Sequence, residues 1–105
     1  MILHCVYCAI REDVPREDVA AVMGELAALR TRLSGMTGFA WGPNRDFELK
    51  SGAYSYGFVA SFADRAALSA YDAHPDHKAA GARLVAMCRG GSGGITVFDL
   101  DTRAK

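Results

Sequence analysis

A tyrosine and two histidines lie close together in the segment Tyr71-Asp72-Ala73-His74-Pro75-Asp76-His77. An imidazole titrates near neutral pH and can act as a base, and a neighbouring phenol can hydrogen-bond the ring or a substrate oxygen. Two interpretations are open. Tyr71 and His77 form either a buried pair that stabilises the core or a base held by a phenol at the mouth of an apolar pocket. The local pattern does not decide between them.

Helical spacing on both sides of Pro75 predicts that the tyrosine and the second histidine face inward. The preceding segment begins near Asp64, which can cap a helix, and Leu68 and Tyr71 lie on one face of it. After the proline, small and apolar residues recur at helical intervals from His77 to about residue 88: Ala80, Gly81, Leu84 and Cys88. The first helix is expected to form one apolar side of the cleft through Val22, Met23 and Leu26, opposite Tyr56 and Phe58.

Length and charge limit the classes of function. The 105 residues suffice for one domain and one core, so a single domain over residues 1–105 is expected. Twelve basic and twelve acidic residues are scattered along the chain, which gives neither nucleic acid nor an anionic membrane a basic footprint. No segment has the length of a membrane span, and the first apolar run is interpreted as a strand, not a signal peptide. A cytoplasmic location is therefore expected.

The three cysteines are expected to be free thiols. Cys5 and Cys8 have the spacing of a CxxC motif, but residues three apart on a strand project to opposite faces. That pair can neither hold one metal nor close a disulfide. The cysteines therefore predict no structural metal and no intrachain disulfide, and no cofactor is expected.

Hydrophobic periodicity predicts the order βαββαβ, an α+β ferredoxin-like fold with a four-stranded antiparallel sheet and its helices on one face. The expected strands are Ile2–Ile10, Gly38–Gly42, Ala53–Phe62 and Ile95–Leu100. The first helix opens at Pro15, and Gly35 is expected as its C-terminal stop. The expected irregular segments are a loop over Asn44–Gly52 that could cover a pocket, a connector at Gly90–Gly94 and a polar tail over Asp101–Lys105.

The other face of this sheet carries apolar residues that have no partner in one chain. The residues expected there are Leu3, Cys5, Tyr7, Ala9, Gly57, Val59, Phe98 and Leu100. An exposed patch of this kind usually marks an interface, and two such sheets pack about 10 Å apart. A homodimer through the helix-free face is the predicted assembly.

Several motifs together resemble the stress-responsive dimeric α/β-barrel (Dabb) family. They are Ile2-Leu3-His4 in the first strand, Trp41-Gly42 closing the second, Tyr71 followed by His74-Pro75-Asp76-His77, and the final Val97-Phe98-Asp99. The resemblance covers essentially the whole chain. It implies a ferredoxin-like protomer that pairs sheet to sheet. Most members have no assigned reaction, and the best understood is a plant polyketide (olivetolic acid) cyclase, which works without cofactor or metal.

The resemblance also implies site residues. The match to His77 is the general base of that cyclase, and the match to Tyr71 positions the base or the substrate. Pocket-lining residues implied in the same way are His4, Val6, Cys8, Val22, Met23, Leu26, Phe39, Tyr56, Phe58, Ile95 and Val97. Tyr56 and Ala80 replace a histidine and a bulky aromatic of the cyclase, and the connector at Gly90–Gly94 is longer. The cyclase's own substrate is therefore not transferable.

Three functions stay open at this point. The first is a protein of unassigned activity that binds a small apolar or carbonyl ligand between helices and sheet. The second is a cofactor-free cyclase or lyase, in which neutral His77 removes a proton beside a carbonyl of a β-keto compound with Tyr71 assisting. The third is a monooxygenase-like or haem-binding dimeric barrel. The fold does not choose among them.

Overall fold

A computed structural model describes residues 1–103 of the chain. Its elements in order are β1 (Ile2–Cys8), α1 (Arg16–Ala28), β2 (Met36–Pro43), β3 (Tyr56–Phe62), α2 (Arg65–Ala73), α3 (Pro75–Met87) and β4 (Ile95–Asp101). Short 3₁₀ turns follow α1 at Leu29–Thr31 and precede β4 at Gly91–Gly94. The fold is ferredoxin-like α+β, as predicted from the order of the elements.

The four strands form one antiparallel sheet in the order β2-β3-β1-β4. Strand β1 is central: Val6 pairs with Phe58 on one side and with Val97 on the other. Because side chains alternate along a strand, the register places His4, Val6 and Cys8 on the face that the helices cover. The next residues along β1, Leu3, Cys5 and Tyr7, lie on the helix-free face.

The core lies between the helices and that covered face. The apolar stripe of α1 is buried as predicted, through Val19, Val22, Met23 and Leu26. From the sheet, Phe58, Ala60 and Phe62 meet it, and Tyr71 and Leu84 close it from α2 and α3. The prediction that Tyr71 faces inward is confirmed.

Three predicted boundaries are wrong, and in each case local hydrogen bonds make the element shorter than predicted. Strand β1 stops at Cys8, since Ala9 donates to Gly94 and accepts from Arg89, outside the sheet ladder. The first helix ends at Ala28, whose carbonyl accepts a hydrogen bond from the hydroxyl of Thr31 at 2.8 Å. Strand β3 begins at Tyr56, not residue 53, because the amide of Tyr54 donates back to the Ser51 carbonyl at 3.2 Å in a turn.

Other predicted boundaries hold to within a few residues. Asp64 caps α2, its carboxylate accepting from the Ala67 amide at 2.9 Å. Strand β2 is longer than predicted, and β4 runs one residue further, through Asp101. Of the predicted tail, Thr102 bonds the Met1 carbonyl at 3.1 Å, and residues 104–105 lie outside the described part. Across residues 1–103, no helix has the length and apolar character needed to cross a membrane.

Two glycines differ in what a side chain would meet. A Cβ built on Gly35 lies 2.4 Å from the Cβ of Ala67 on α2, whereas one on Gly24 in α1 has no neighbour within 4 Å. Position 35 therefore requires glycine because the chain just before β2 comes close to α2. Gly35 is not a helix stop.

We expect Gly35→Ala to lower the free energy of unfolding by about 1–3 kcal/mol through overpacking. Gly24→Ala should raise it by about 0.5–1 kcal/mol, since alanine has the better helix propensity. Urea unfolding of both variants provides the comparison. Equal stability of Gly35→Ala and the wild type would contradict the close contact with α2.

Candidate functional site

The junction of α2 and α3 places the chemistry-bearing residues. Helix α2 ends at Ala73, and His74 then serves as cap residue for both helices, with extended backbone angles. Its Nδ1 accepts from the amide of Asp76 at 3.0 Å, and Pro75 occupies the first position of α3. This proline restricts His74 to the extended region, and the chain turns sharply. His74 is thus committed to capping, which leaves His77 as the free imidazole of the motif.

Tyr71 and His77 face each other across this junction. Their ring centroids are 4.3 Å apart with an interplanar angle of 49°. Tyr71 is fully buried, and its ring also approaches those of Phe62 and His4. Within residues 1–103, its hydroxyl is a buried polar atom with no hydrogen-bond partner. The phenol thus makes no hydrogen bond to the imidazole in the described chain, and the two rings pack against each other.

The environment of His77 favours the neutral ring. Its side chain is half-buried, and burial lowers its pKa below 6.5, outweighing the opposing effect of the Asp72 backbone. Nδ1 lies 3.2 Å from the carbonyl oxygen of Asp72. A carbonyl only accepts, so Nδ1 carries the hydrogen and Nε2 keeps its lone pair. This is the tautomer that a base acting through Nε2 requires.

A second imidazole lies on the other side of the phenol. His4 is buried on β1, and its Nδ1 is 2.6 Å from a carboxylate oxygen of Asp99, its cross-strand neighbour on β4. The carboxylate accepts a hydrogen bond from Nδ1–H and so orients the ring. Its ring centroid is 5.9 Å from that of Tyr71. Two imidazoles thus flank one phenol, and each has one nitrogen anchored by an oxygen.

Both imidazoles line an open cleft of about 490 Å³ between α3 and the covered face of the sheet. Its walls are mostly aliphatic, and its charged side chains are Asp72 and Lys78. The predicted residues that it brings together are His4, Val6, Leu26, Phe58, His77, Ile95 and Val97. The facing wall is α3, not the first helix, since Leu26 is the member of α1 that reaches it.

The other predicted residues lie elsewhere. Tyr71 sits behind the two imidazoles, and Cys8, Val22 and Met23 are sealed in the core. Phe39 stacks on Phe58 at 4.9 Å, away from the cleft lining. Tyr56 lines a different cleft, of about 350 Å³, together with Tyr7, Asn44 and Tyr54. The segment expected as a flap borders that second cleft and does not line the one at His77.

Sequence reasoning named Gly81 and Leu84 on the stripe of α3 but missed Ala82 and Val85, which also line the cleft. Val85 follows His77 by two helical turns, so extending the stripe would have found it. Gly81 has no side chain and leaves room beside the imidazole. Asp99, which pairs with His4, was also missed as a site residue. It shares its strand face with Ile95 and Val97, so the alternation of side chains along β4 predicts where it lies. Across residues 1–103, no three His, Cys, Asp or Glu side chains come together to hold a metal ion.

Comparison with protein families identifies the chain. Residues 2–102 match the stress responsive A/B barrel domain, Dabb. The chain belongs to this family. The match takes in every strand and helix described above, together with both imidazoles and the phenol. A comparison with curated proteins finds no significant match.

Solved structures show the same fold with different described properties. A dimeric ferredoxin-like protein of unknown function from Jannaschia sp. CCS1 is 44% identical, with a TM-score of 0.91 over 96% of this chain and 98% of that one. Hydroxynitrile lyase from Passiflora edulis is 12% identical, with a TM-score of 0.79 over 94% and 90%. SnoaB, a cofactor-independent oxygenase from Streptomyces nogalater, is 18% identical, with a TM-score of 0.75 over 99% and 94%. The last two establish fold likeness alone.

The lowered pKa of His77 predicts a pH-dependent stability. The folded protein binds this proton more weakly than the unfolded chain, so the free energy of unfolding should fall as the pH drops below 6.5 through the window down to the lowered pKa. His77→Gln should remove that part of the dependence. Histidine NMR titration gives the pKa, and urea unfolding across this pH range gives the stability. A His77 pKa at or above 6.5 would contradict the burial effect.

Proposed function

We propose that this Dabb protein binds a small apolar ligand carrying a carbonyl group in the cleft beside His77. The observation that carries the proposal is the composition of the cleft. Aliphatic walls from α3, β1 and β4 surround two imidazoles whose orientations are fixed by Asp72 and Asp99. A volume of about 490 Å³ lies in the range of small-molecule sites. Such a site favours an apolar body with one or two polar atoms.

Base catalysis is the second candidate, and the tautomer of His77 favours it. In this mechanism Nε2 of the neutral ring takes the acidic proton between two carbonyls of a β-keto compound, which leaves an enolate and an imidazolium. The Nδ1 hydrogen stays on the Asp72 carbonyl, so the cation that forms is hydrogen-bonded. The enolate carbon then either attacks a second carbonyl, whose new alkoxide takes the proton from the His77 imidazolium, or recovers that proton itself. The reaction class is a cofactor-independent cyclase or lyase.

Tyr71 is the donor available for the developing negative charge. Burial raises the pKa of its phenol, so the group stays protonated and can donate. The ring of Tyr71 lies next to two side chains that line the cleft, with centroid distances of 5.9 Å to His4 and 4.3 Å to His77. In this proposal, a small rotation of one imidazole about its Nδ1 anchor exposes the phenol to a ligand oxygen. We assign it this role because it is a buried donor with no partner in the described chain.

The three thiols suit the proposed cytoplasmic location. Cys5, Cys8 and Cys88 are all free and buried. Burial raises the pKa of Cys8 to about 12, with the neighbouring Cys88 adding to the effect. Such a thiol stays protonated and unreactive, which fits a structural role in a reducing compartment.

Exchange of an α-proton of a β-keto thioester, followed by NMR in deuterated water, tests both candidates. If His77 is a base, the wild-type protein accelerates exchange, and His77→Ala loses about 100-fold or more. His74→Asn is the matched control, because asparagine keeps the cap of α3 and should leave exchange unchanged. If the thioester binds without exchange and His77→Ala abolishes binding, the ligand-binding function holds and catalysis of this reaction does not. Unaltered binding and exchange in His77→Ala would reject both.

Stability separates a functional phenol from a structural one. Tyr71→Phe deletes an unpaired hydroxyl and keeps the ring, so we expect unchanged stability or a gain of about 1 kcal/mol. Exchange or ligand binding should fall at the same time. A loss of more than about 1 kcal/mol in urea unfolding would mean that the hydroxyl makes a stabilising bond in the folded protein.

We also propose that the protein is a homodimer joined through the helix-free face of the sheet. The dimeric relative from Jannaschia sp., 44% identical, supports this, as do the exposed Tyr7, Phe98 and Leu100 on that face. Val59 lies on the same face, on β3, which pairs with β1 on one side and β2 on the other. Its neighbours along the sheet are Cys5 and Ala40.

Val59→Arg should split the dimer, because it buries an unpaired charge between two sheets. Light scattering at micromolar concentration measures the mass of both proteins. Ser61→Arg, one pair further along the same face towards its rim, is the less disruptive comparison. A wild-type monomer, or a Val59→Arg dimer of unchanged affinity, would reject this interface.

A further inference from the structure

The segment between β2 and β3, residues 44–55, is a hydrogen-bonded arm that carries two exposed hydrophobic side chains. Phe47 is 91% exposed and Leu49 is 86% exposed, the highest values among the large hydrophobic residues in the described chain. Neither side chain belongs to the core. Single exposed hydrophobics are ordinary, but two so close together in one segment form an apolar tip that has no partner within residues 1–103.

The arm is held in one shape by its own polar groups. The carboxylate of Asp46 accepts from the amides of Lys50 and Ser51 at 3.0 and 3.1 Å. The side chain of Asn44 accepts from the Asp46 amide and donates to the Tyr54 carbonyl at 2.9 and 2.8 Å. Because these bonds close both the tip and the base, the arm presents its apolar tip without a large further loss of entropy on binding.

The backbone conformation at the tip also indicates that the arm is shaped to expose these two side chains. Asp46 and Leu49 have φ values of 49° and 56°, in the left-handed region. Aspartate tolerates this conformation, but for leucine it costs roughly 1 kcal/mol. The strained residue is one of the two that turn outward. A turn that only joined two strands would be better served by glycine at this position.

The base of the arm borders the helix-free face. Asn44 and Ser51 line the cleft of about 350 Å³ together with Tyr7 and Gly57. Tyr7 and Gly57 pair with each other across β1 and β3 on that face. The ring of Tyr7 lies 6.1 Å from that of Phe98, which is 53% exposed. The apolar surface therefore continues from the sheet to the base of the arm.

We propose that the arm clasps a second copy of this chain, packing Phe47 and Leu49 on the helix-free face of the partner. The inference rests on the face-to-face dimer proposed above. Sheets packed in that way lie about 10 Å apart. A segment that doubles back over residues 44–55 extends at most about 20 Å, so its tip can cross the gap. The two-fold symmetry of a homodimer gives each protomer one arm to offer and one face to receive it.

The test compares two double variants by sedimentation. Phe47→Ser with Leu49→Ser should raise the dimer dissociation constant about 100-fold or more, because four buried apolar side chains are lost per dimer. The matched control, Glu48→Ser with Lys50→Ser, changes the alternate positions of the same tip and should leave the constant within about threefold. Circular dichroism checks that the fold of each variant is intact. An unchanged constant in the Phe47 and Leu49 variant overturns the proposal.

A fluorescent probe shows where the tip lies. Trp41 is the single tryptophan, so Phe47→Trp in a Trp41→Phe background reports on the arm alone. The emission should shift to shorter wavelength as concentration rises through dimer formation. A blue emission at every concentration means that the tip folds onto its own chain, and a red emission in the dimer means that it faces solvent or another protein. Either result overturns the proposal.

Val59→Arg separates this inference from its premise. If Val59→Arg splits the dimer and loss of Phe47 and Leu49 does not, the face-to-face dimer stands and the clasp is wrong. If neither change affects the dimer, the interface itself is wrong, and the clasp fails with it. Ligand binding at His77 is measured separately, so neither outcome depends on that site.

Discussion

The site depends on one covalent constraint, the proline that follows His74. Pro75 excludes His74 from the helical region, so α2 must end and α3 must begin within one residue. The two helices then meet at an angle, and residues six apart in sequence bring their rings to 4.3 Å across the turn. In one continuous helix, residues six apart lie on different faces. The contact of Tyr71 with His77 is thus a product of the break.

The central strand β1 carries residues of both the cleft and the helix-free face. On β1 the alternation of side chains sends His4 and Val6 into the cleft and Cys5 and Tyr7 to the helix-free face. A shift of one residue in register would exchange these two sets, placing an imidazole on the helix-free face and a thiol in the cleft. The cleft and the proposed interface therefore depend on the same register, and a substitution on one face of β1 acts on a strand that also serves the other.

The architecture could be predicted because it follows from short-range patterns. An unbroken run with two apolar faces over Ile2–Ile10 predicted a central strand, and the helical stripe of Val19 to Leu33 predicted the first helix. Element ends were less predictable, because they depend on particular hydrogen bonds such as that of Thr31 to Ala28. The position of Gly35 was misread as a helix stop, since the nearness of α2 is a tertiary fact that no local pattern carries.

The sequence also could not predict which helix forms the wall of the cleft, because this too depends on tertiary packing. An apolar stripe predicts that a helix faces the sheet, but it does not say whether the contact is tight or open. The residues of α1 fill their space completely, whereas α3 presents Gly81 and Ala82 and leaves a gap. The difference comes from side-chain volume at the contact. The same holds for His4 and Asp99, whose pairing required the register of two strands remote in sequence.

The phenol of Tyr71 is the feature that packing alone does not explain. Phenylalanine would fill the same space against Phe62 and His77, without leaving a buried hydroxyl unpaired at a cost of about 1–3 kcal/mol. A structural pair would have satisfied the hydroxyl by hydrogen-bonding the nearest imidazole. Here both neighbouring imidazoles have a nitrogen anchored by an oxygen, Asp72 for His77 and Asp99 for His4. These anchors hold each ring through Nδ1, and neither Nε2 accepts from the phenol in the described chain. A ligand oxygen, as proposed above, would supply the partner that the buried hydroxyl lacks.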